Sequence, residues 1–250
     1  MYKIAVLMTC YNRSSTTLTC LRSLFRAVER SDEVDLTVFL FDDGSPDGTG
    51  ALVRLEFPKV NIIHGDGTFY WAKGMRTAWE VAVEHGGWDG YLWLNDDTVL
   101  CCDAIRKVLA VNNGSQIVVG NLTDEYGTVI YGIRDGGVFT GNCVLVPHAV
   151  FSRLGMICGD YSHAWADSDY AMMAKRANVD VVSAGVVGMG HANPIRPSLK
   201  GVSLSNRIAL LRNPKGWNLH DLWLYRRRNW GLCAAIVSCA HLIAHVVIGE

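Results

Sequence analysis

The chain has no excess of either charge: 23 Lys and Arg stand against 24 Asp and Glu in 250 residues, a formal net charge of −1. That balance removes the basic field by which a protein gathers nucleic acid, so its electrostatics must be local. Also missing is any Cys-x-x-Cys pair. The eight cysteines are scattered, four of them in apolar runs, which argues for reduced, mostly buried thiols rather than bridges or zinc. There is no internal repeat and no low-complexity tract. The apolar run at the start, Ile4 to Met8, is broken at once by Thr9-Cys10-Tyr11-Asn12 and is too short for a signal peptide, so a cytoplasmic location is expected.

What is present is core material. Half the residues are apolar, ample for one large α/β domain with a helical tail. Residues 3–9 read as a buried strand, 15–30 as an amphipathic helix, and 34–45 as a second strand ending in acids. A helix near 49–57, a short strand at 60–65, a helix from about Gly74 to Glu84 and a strand at 90–97 follow. Repeated β-α-β order predicts a mostly parallel, doubly wound sheet, whose ligands bind beyond the carboxyl ends of the strands. Thr9 to Asn12, Asp42-Asp43 and Asp96-Asp97 all fall there.

The run Tyr91-Leu92-Trp93-Leu94 ends on Asn95 and two adjacent acids, Asp96 and Asp97. Neighbouring carboxylates repel each other and resist desolvation, so the pair calls for a cation or for hydrogen-bond donors. The second half is less regular: 116–120, 127–133 and 141–147 read as strands, and 165–185 as a helix followed by a strand. The segment 190–206, with two prolines, is the best candidate for a loop closing over a ligand. From Trp230 to Ile248 there is no charged side chain, and three arginines precede it. Ser238, His241 and His245 share one helical face; Ile236, Cys239, Ile243 and Val247 line another. An interfacial helix on the inner face of the cell membrane, a core or homo-oligomer helix, and a transmembrane span all remain open.

Taken in order, "VLMTCYNR", "FLFDDGSPDGT", "FYWAKGMRTAWE", "LWLNDDT", "GNCVLV", "WADSDY" and the lone "GH" of "VGMGHANP" resemble a family 2 nucleotide-sugar glycosyltransferase, in particular bacterial rhamnosyl- and galactofuranosyltransferases. The resemblance spans roughly residues 3–200 and implies a GT-A fold: a Rossmann-like sheet over 1–204, with a nucleotide-sugar half (1–100) and an acceptor and catalytic half (101–204), followed by C-terminal helices in 205–250. It implies that Thr9, Tyr11 and Asp43 read the base, with Asn12 and Arg13 beside them. A turn or helix cap is the plain alternative for Asp42-Asp43. Asp96 matches the residue that holds ribose or donor sugar, and Asn95 stands where the family often has the first acid of Asp-x-Asp. Asp97, with His191 placed 24 residues after Asp167, matches the ligands of a Mn²⁺ or Mg²⁺ ion bridged to the diphosphate.

Asp167 matches the catalytic base, although Ala166 replaces the usual Glu before it. Lys73, Gly74 and Arg76 fall where a glycine-rich segment borders the donor sugar, with Lys73 in place of one glycine. Trp71, Trp165, Asp169, Gly141 and Asn142 are the candidate acceptor contacts, with packing as the alternative for both tryptophans. The implied reaction transfers a sugar, first L-rhamnose from dTDP-rhamnose and otherwise a UDP-linked hexose or galactofuranose, with inversion. The implied acceptor is a saccharide or lipid-linked saccharide of a bacterial surface polysaccharide. A sugar-phosphate nucleotidyltransferase and an inactive carbohydrate-binding relative are the rivals.

Overall fold

The computed structural model describes residues 1–31, 33–191 and 198–249. The chain runs through β1 (Tyr2–Cys10), α1 (Ser14–Val28), β2 (Val34–Asp42), α2 (Thr49–Glu56), β3 (Asn61–His64), α3 (Tyr70–His85) and β4 (Gly90–Leu94). It continues through β5 (Val99–Leu100), α4 (Ala104–Ala110), β6 (Ile117–Thr123), β7 (Val129–Tyr131), β8 (Cys143–Pro147), α5 (His148–Leu154), α6 (Ala166–Arg176) and β9 (Val181–Met189). The helices α7 (Leu204–Leu210), α8 (Leu219–Trp230) and α9 (Leu232–Ile248) complete it.

Among the described residues nine strands form one sheet, ordered β3-β2-β1-β4-β8-β6-β9-β5, with β7 paired to β6. The first four are mutually parallel, as the β-α-β order predicts. Beyond them β8 runs antiparallel to both β4 and β6, while β6 and β9 pair in parallel. Both faces are covered, which is why the central strands are apolar without alternation. Ala5, Leu7, Tyr91 and Trp93 face α3 and α6, around Trp79 and Tyr170. Ile4, Val6, Leu92 and Leu94 face α1 and α4. All eight cysteines are free, with Cys10, Cys20, Cys143 and Cys239 buried.

One helix starts earlier than its sequence suggests. The spacing predicts α3 from Gly74, yet it begins at Tyr70, because its first-turn donors are capped from another strand. One Asp43 oxygen accepts the backbone N–H groups of Phe69 (3.0 Å) and Tyr70 (2.9 Å), and the other accepts that of Gly67 (2.9 Å). A buried carboxylate at a helix N-terminus satisfies orphan donors and favours the dipole. No local pattern encodes a cap supplied from 26 residues away.

The helices after residue 204 are fastened to the sheet and its covering helices. Asp221 of α8, fully buried, accepts the N–H groups of Ser162 (2.9 Å), His163 (3.1 Å) and Ala164 (3.3 Å). Asp169 of α6, also fully buried, accepts from Arg228 Nε (3.0 Å) and Asn229 Nδ2 (2.8 Å). Tyr225 joins the core cluster around α3 and stacks on Trp165 with ring centroids 4.6 Å apart. α9 in turn seats Leu242 and Val246 against Leu199, Leu210 and Leu222, and Arg207 caps it at the Val247 carbonyl (2.9 Å). Its apolar face is therefore split: Cys239 turns inward while Ile236, Ile243 and Val247 stay exposed. Among the described residues no helix is long and apolar enough to cross a membrane. Residues 192–197, the middle of the expected closing loop, lie outside the described residues.

Candidate active site

The chain order turns back at β1: β2 and β3 lie on one side of it and β4 on the other. Loops leaving β1 and β4 diverge at such a point and open a crevice at the strand ends. The acid pair stands there. Arg13, from the loop after β1, places Nη1 3.0 Å from Asp96 Oδ1 and 3.1 Å from Asp97 Oδ2. The positive charge that the acids call for is thus an arginine of the same chain, in a bridging position. Thr17 donates to the other Asp96 oxygen (3.3 Å). Even so, burial dominates and pushes the Asp96 carboxyl up to about 6, against the lowering pull of Arg13.

Next to this pair, Asp42 and Asp43 divide the work. Asp42 takes the turn: its oxygens accept from Ser45 N (3.0 Å) and Gly50 N (3.1 Å). The turn alternative therefore describes Asp42. Asp43 has spent three acceptor positions on the 67–70 backbone, and a carboxylate offers about four. Tyr11 is half-exposed beside Gly67, and Asn12 adopts a left-handed φ of 53° with its N–H on Ser45 Oγ (3.0 Å). Thr9 is buried under α3. A Cβ at Gly74 would come within 2.8 Å of its hydroxyl and 3.0 Å of the Phe41 ring, so the absent side chain is what lets the helix approach.

A cavity of about 320 Å³ opens alongside, and it brings together Trp71, Asn95, Gly141, Asn142, Trp165 and Asp167. These six come from four segments of the chain, and hydrogen bonds fix them. Asn95 N donates to the Asn142 carbonyl (3.0 Å), and Trp71 Nε1 donates to Asn95 Oδ1 (2.7 Å). The Trp71 indole lies against Gly141, where a Cβ would be 2.6 Å from the ring. Gly141 N in turn donates to Asp167 Oδ2 (3.0 Å), while Asp167 Oδ1 accepts from Ser168 N (2.7 Å). Burial raises the Asp167 carboxyl, and these two N–H groups pull it back. Trp165, just before α6, has a φ of 73°, and Tyr70 one of 55°. Non-glycine residues held left-handed cost on the order of 1–3 kcal/mol and cluster at functional sites. Here Trp165 lines the cavity and Tyr70 directly precedes Trp71, which also lines it.

Not every predicted residue reaches it. Asp169, expected at the acceptor, is fully buried and committed to Arg228 and Asn229, so its role is to fasten α8 to α6. Arg76 turns away to Glu80 (2.7 Å) and the Ile157 carbonyl (3.2 Å) rather than toward a donor. Lys73 is exposed and lies over the Phe69 ring at 3.8 Å. His191 is exposed, and its carbonyl accepts from Tyr131 Oη (2.8 Å). The β5–β9 register pairs Val99 with Met189 and Leu100 with Gly188. Neither Asp97 nor His191 belongs to that ladder, which starts at Val99 in β5 and ends at Met189 in β9.

Sequence reading missed the far wall. Arg134, His163, Lys215, Trp217 and Asn218 also line the cavity. His163 Nδ1 is buried without a partner among the described residues, and burial holds its imidazole at about 4 and therefore neutral. A signal for this wall exists: Asn218 caps α8 by accepting from Asp221 N (3.0 Å), a pattern of Asn and acid three residues apart.

Solved structures share the fold. A Pyrobaculum calidifontis mannosyltransferase, in complex with GDP-mannose and Mn²⁺, superposes with a TM-score of 0.57 at 17% identity, covering 96% of this chain and 75% of that one. S. aureus TarS gives 0.56 at 15% identity over 91% of this chain, which spans only 43% of TarS. Glucosyl-3-phosphoglycerate synthase from Mycobacterium tuberculosis, with Mg²⁺ and UDP, gives 0.51 at 12% over 77% and 73%. No curated protein matches the sequence. Likeness at these identities speaks for the GT-A fold alone. The sequence itself supplies the rest, since the model of glycosyl transferase family 2 matches residues 5–146, more than half the chain and the stretch that carries Thr9, Asp43 and the acid pair: the chain belongs to glycosyl transferase family 2.

Proposed function

We propose that the chain is an inverting, metal-dependent hexosyltransferase that moves L-rhamnose from dTDP-rhamnose to a saccharide hydroxyl in bacterial surface polysaccharide synthesis. One observation carries the reading: the acids at the strand-end crevice adjoin a cavity in which a single carboxylate, Asp167, is held by two backbone N–H groups. Thr9, Tyr11 and the remaining acceptor position of Asp43 read the pyrimidine, whose N3–H is a donor between two carbonyls. The donor sugar then projects past Asp96 and Asn95 into the cavity.

In the reaction Asp167 takes the proton of the acceptor hydroxyl. That oxygen attacks the anomeric carbon, the bond from carbon to the diphosphate oxygen breaks, and its electron pair leaves with the diphosphate. One displacement inverts the centre.

Asp97, with Asp96 beside it and His191 just beyond the end of β9, would hold a divalent cation, which neutralises the departing diphosphate when bound. Their chemistry fits: buried carboxylate oxygens, one strongly resisting its charge, and an imidazole that favours Mn²⁺ over Mg²⁺. Among the described residues no three metal-capable side chains cluster, so most of the coordination shell falls to diphosphate and water. Arg13, now bridging both acids, is free to turn to the diphosphate once a cation replaces it.

The test is a thermal-shift panel of nucleotide sugars with and without Mn²⁺, followed by NMR of the product anomer. The largest stabilisation should come from dTDP-rhamnose with Mn²⁺. A larger one from UDP-hexose or UDP-galactofuranose moves the donor, and a product of retained configuration ends the inverting reading.

A further inference from the structure

The cavity holds more positive charge than glycosyl transfer to a neutral sugar requires. Arg134, beside the 3₁₀ turn Asp135–Gly137, and Lys215, between α7 and α8, approach it from opposite segments, and both are exposed at its rim. Among the described residues neither side chain has an ion pair or hydrogen bond. Asp167 is the one carboxylate among the lining residues, and its oxygens already accept from Gly141 and Ser168. The charge of Arg134 lowers the Asp167 carboxyl, but a single carboxylate does not account for two cations. On the proposed reading the donor's diphosphate does not account for them either, because it belongs with Arg13 at the crevice between β1 and β4.

The same cavity is lined by His163, which feels the charge of Lys215 and whose buried Nδ1 has no partner among the described residues. A neutral imidazole in such a place lacks one hydrogen bond, and burying it so costs about 1–3 kcal/mol until something fills the position. Trp71, Trp165 and Trp217 supply apolar faces around it. The lining as a whole offers aromatic surface for a carbon skeleton, one base for a hydroxyl, one vacant hydrogen-bonding position and two unpaired cations.

We infer that the acceptor is an anionic polyol or sugar, carrying a phosphate or carboxylate close to the hydroxyl that receives the sugar, with Arg134 and Lys215 gripping the anion and His163 bonding a neighbouring oxygen. This deepens the proposed function and rests on that cavity being the acceptor site. The cations approach from different segments, so the pair selects for an anion at one place rather than for negative charge in general.

The full chain, with its eight tryptophans as indole N–H reporters, is titrated by NMR and calorimetry with three small probes: glycerol 3-phosphate, glycerate and glycerol. Each of Arg134→Gln and Lys215→Gln is then titrated in the same way. Both positions are exposed, so the fold should tolerate either change. The expected result is saturable binding of a charged probe, with glycerol silent, and a loss of about tenfold or more in each variant, the scale of one charge-assisted hydrogen bond. The stronger of the two charged probes identifies phosphate or carboxylate. Equal binding of glycerol, no saturable binding of either anion, or unchanged affinity in the double variant overturns the inference. So does a loss that shows up in dTDP affinity instead, which would assign the cations to the donor. Turnover of nucleotide sugar by the same preparation is scored separately: anion binding without transfer would leave this site standing and remove the glycosyltransferase reading.

Discussion

The two halves of the cleft are built on opposite principles. On the side where we propose the donor binds, every acid is already engaged within the chain: Asp42 by Ser45 and Gly50, Asp43 by the first turn of α3, Asp96 and Asp97 by Arg13. On the acceptor side Arg134 and Lys215 have no ion-pair partner among the described residues, and His163 keeps a buried nitrogen empty. The first half is a set of strand-end loops stabilised before any ligand arrives. The second is a cavity whose polar groups wait for one. Preorganisation of the first kind limits what donor binding must reorder, whereas vacancies of the second kind confer selectivity because a wrong ligand leaves them unmet.

Four changes would break or sharpen that contrast. The largest effect should come from Asp167→Asn, which keeps shape and hydrogen bonding but removes basicity. Turnover should fall by roughly 10²-fold or more while donor affinity holds, as single-turnover kinetics would show. Near-normal turnover would take the base out of the acceptor half. Asp169→Ala comes next. It unties the α6–α8 clamp and leaves Arg228 without its carboxylate, so urea denaturation should register a loss of about 3 kcal/mol. A stable variant with altered acceptor KM would instead return Asp169 to the site.

Asp96→Asn should act in the other direction. Because burial raises the Asp96 carboxyl to about 6, its ionisation disfavours the fold: the penalty is absent below about pH 4, grows as pH rises through about 6, and is full above. The variant should therefore gain on the order of 2 kcal/mol over wild type at pH 7.5 and nothing at pH 4, while losing donor binding. Equal pH profiles would mean that Arg13 already cancels the penalty. The smallest effect belongs to His163. Its imidazole is held at about 4, below the unfolded value, so its contribution to stability is present above about pH 6.5 and is lost as pH falls toward 4. His163→Gln should flatten that acid limb, sparing about 2–4 °C of the melting-temperature drop at pH 5. An unchanged limb would place the acid sensitivity elsewhere.

The same contrast governs how much could be read from residues alone. The donor side was legible because each of its clusters is contiguous: Thr9 to Arg13, Asp42 to Ser45, and Asn95 to Asp97 each follow a strand, and a doubly wound sheet gathers strand ends. What contiguity does not reveal is partnership across the sheet. Arg13 bridging both acids, and Asp43 capping α3, are contacts between residues 83 and 26 apart in the chain. The antiparallel insertion of β8 was hidden for the same reason, since a fully buried strand has no alternation to reveal its direction. The acceptor side was half legible. Gly141, Asn142 and Asp167 stand in motifs, whereas His163, Lys215 and Trp217 enter only because Asp221 draws the 162–164 backbone onto α8.

That wall has a bearing on descent. Residues 214–218 lie outside the 5–146 stretch that defines the family, yet they share the cavity with Asn95, Asn142 and Asp167. A lineage that edits or replaces this short loop alters what the cavity admits without touching a donor-side residue, and the Asp221 and Asp169 anchors on either side of α8 let the replacement dock in the same place. On the proposed reading, donor recognition and acceptor choice would then be separable traits: one set in the strand-end loops of the first hundred residues, the other in the loop at 214–218.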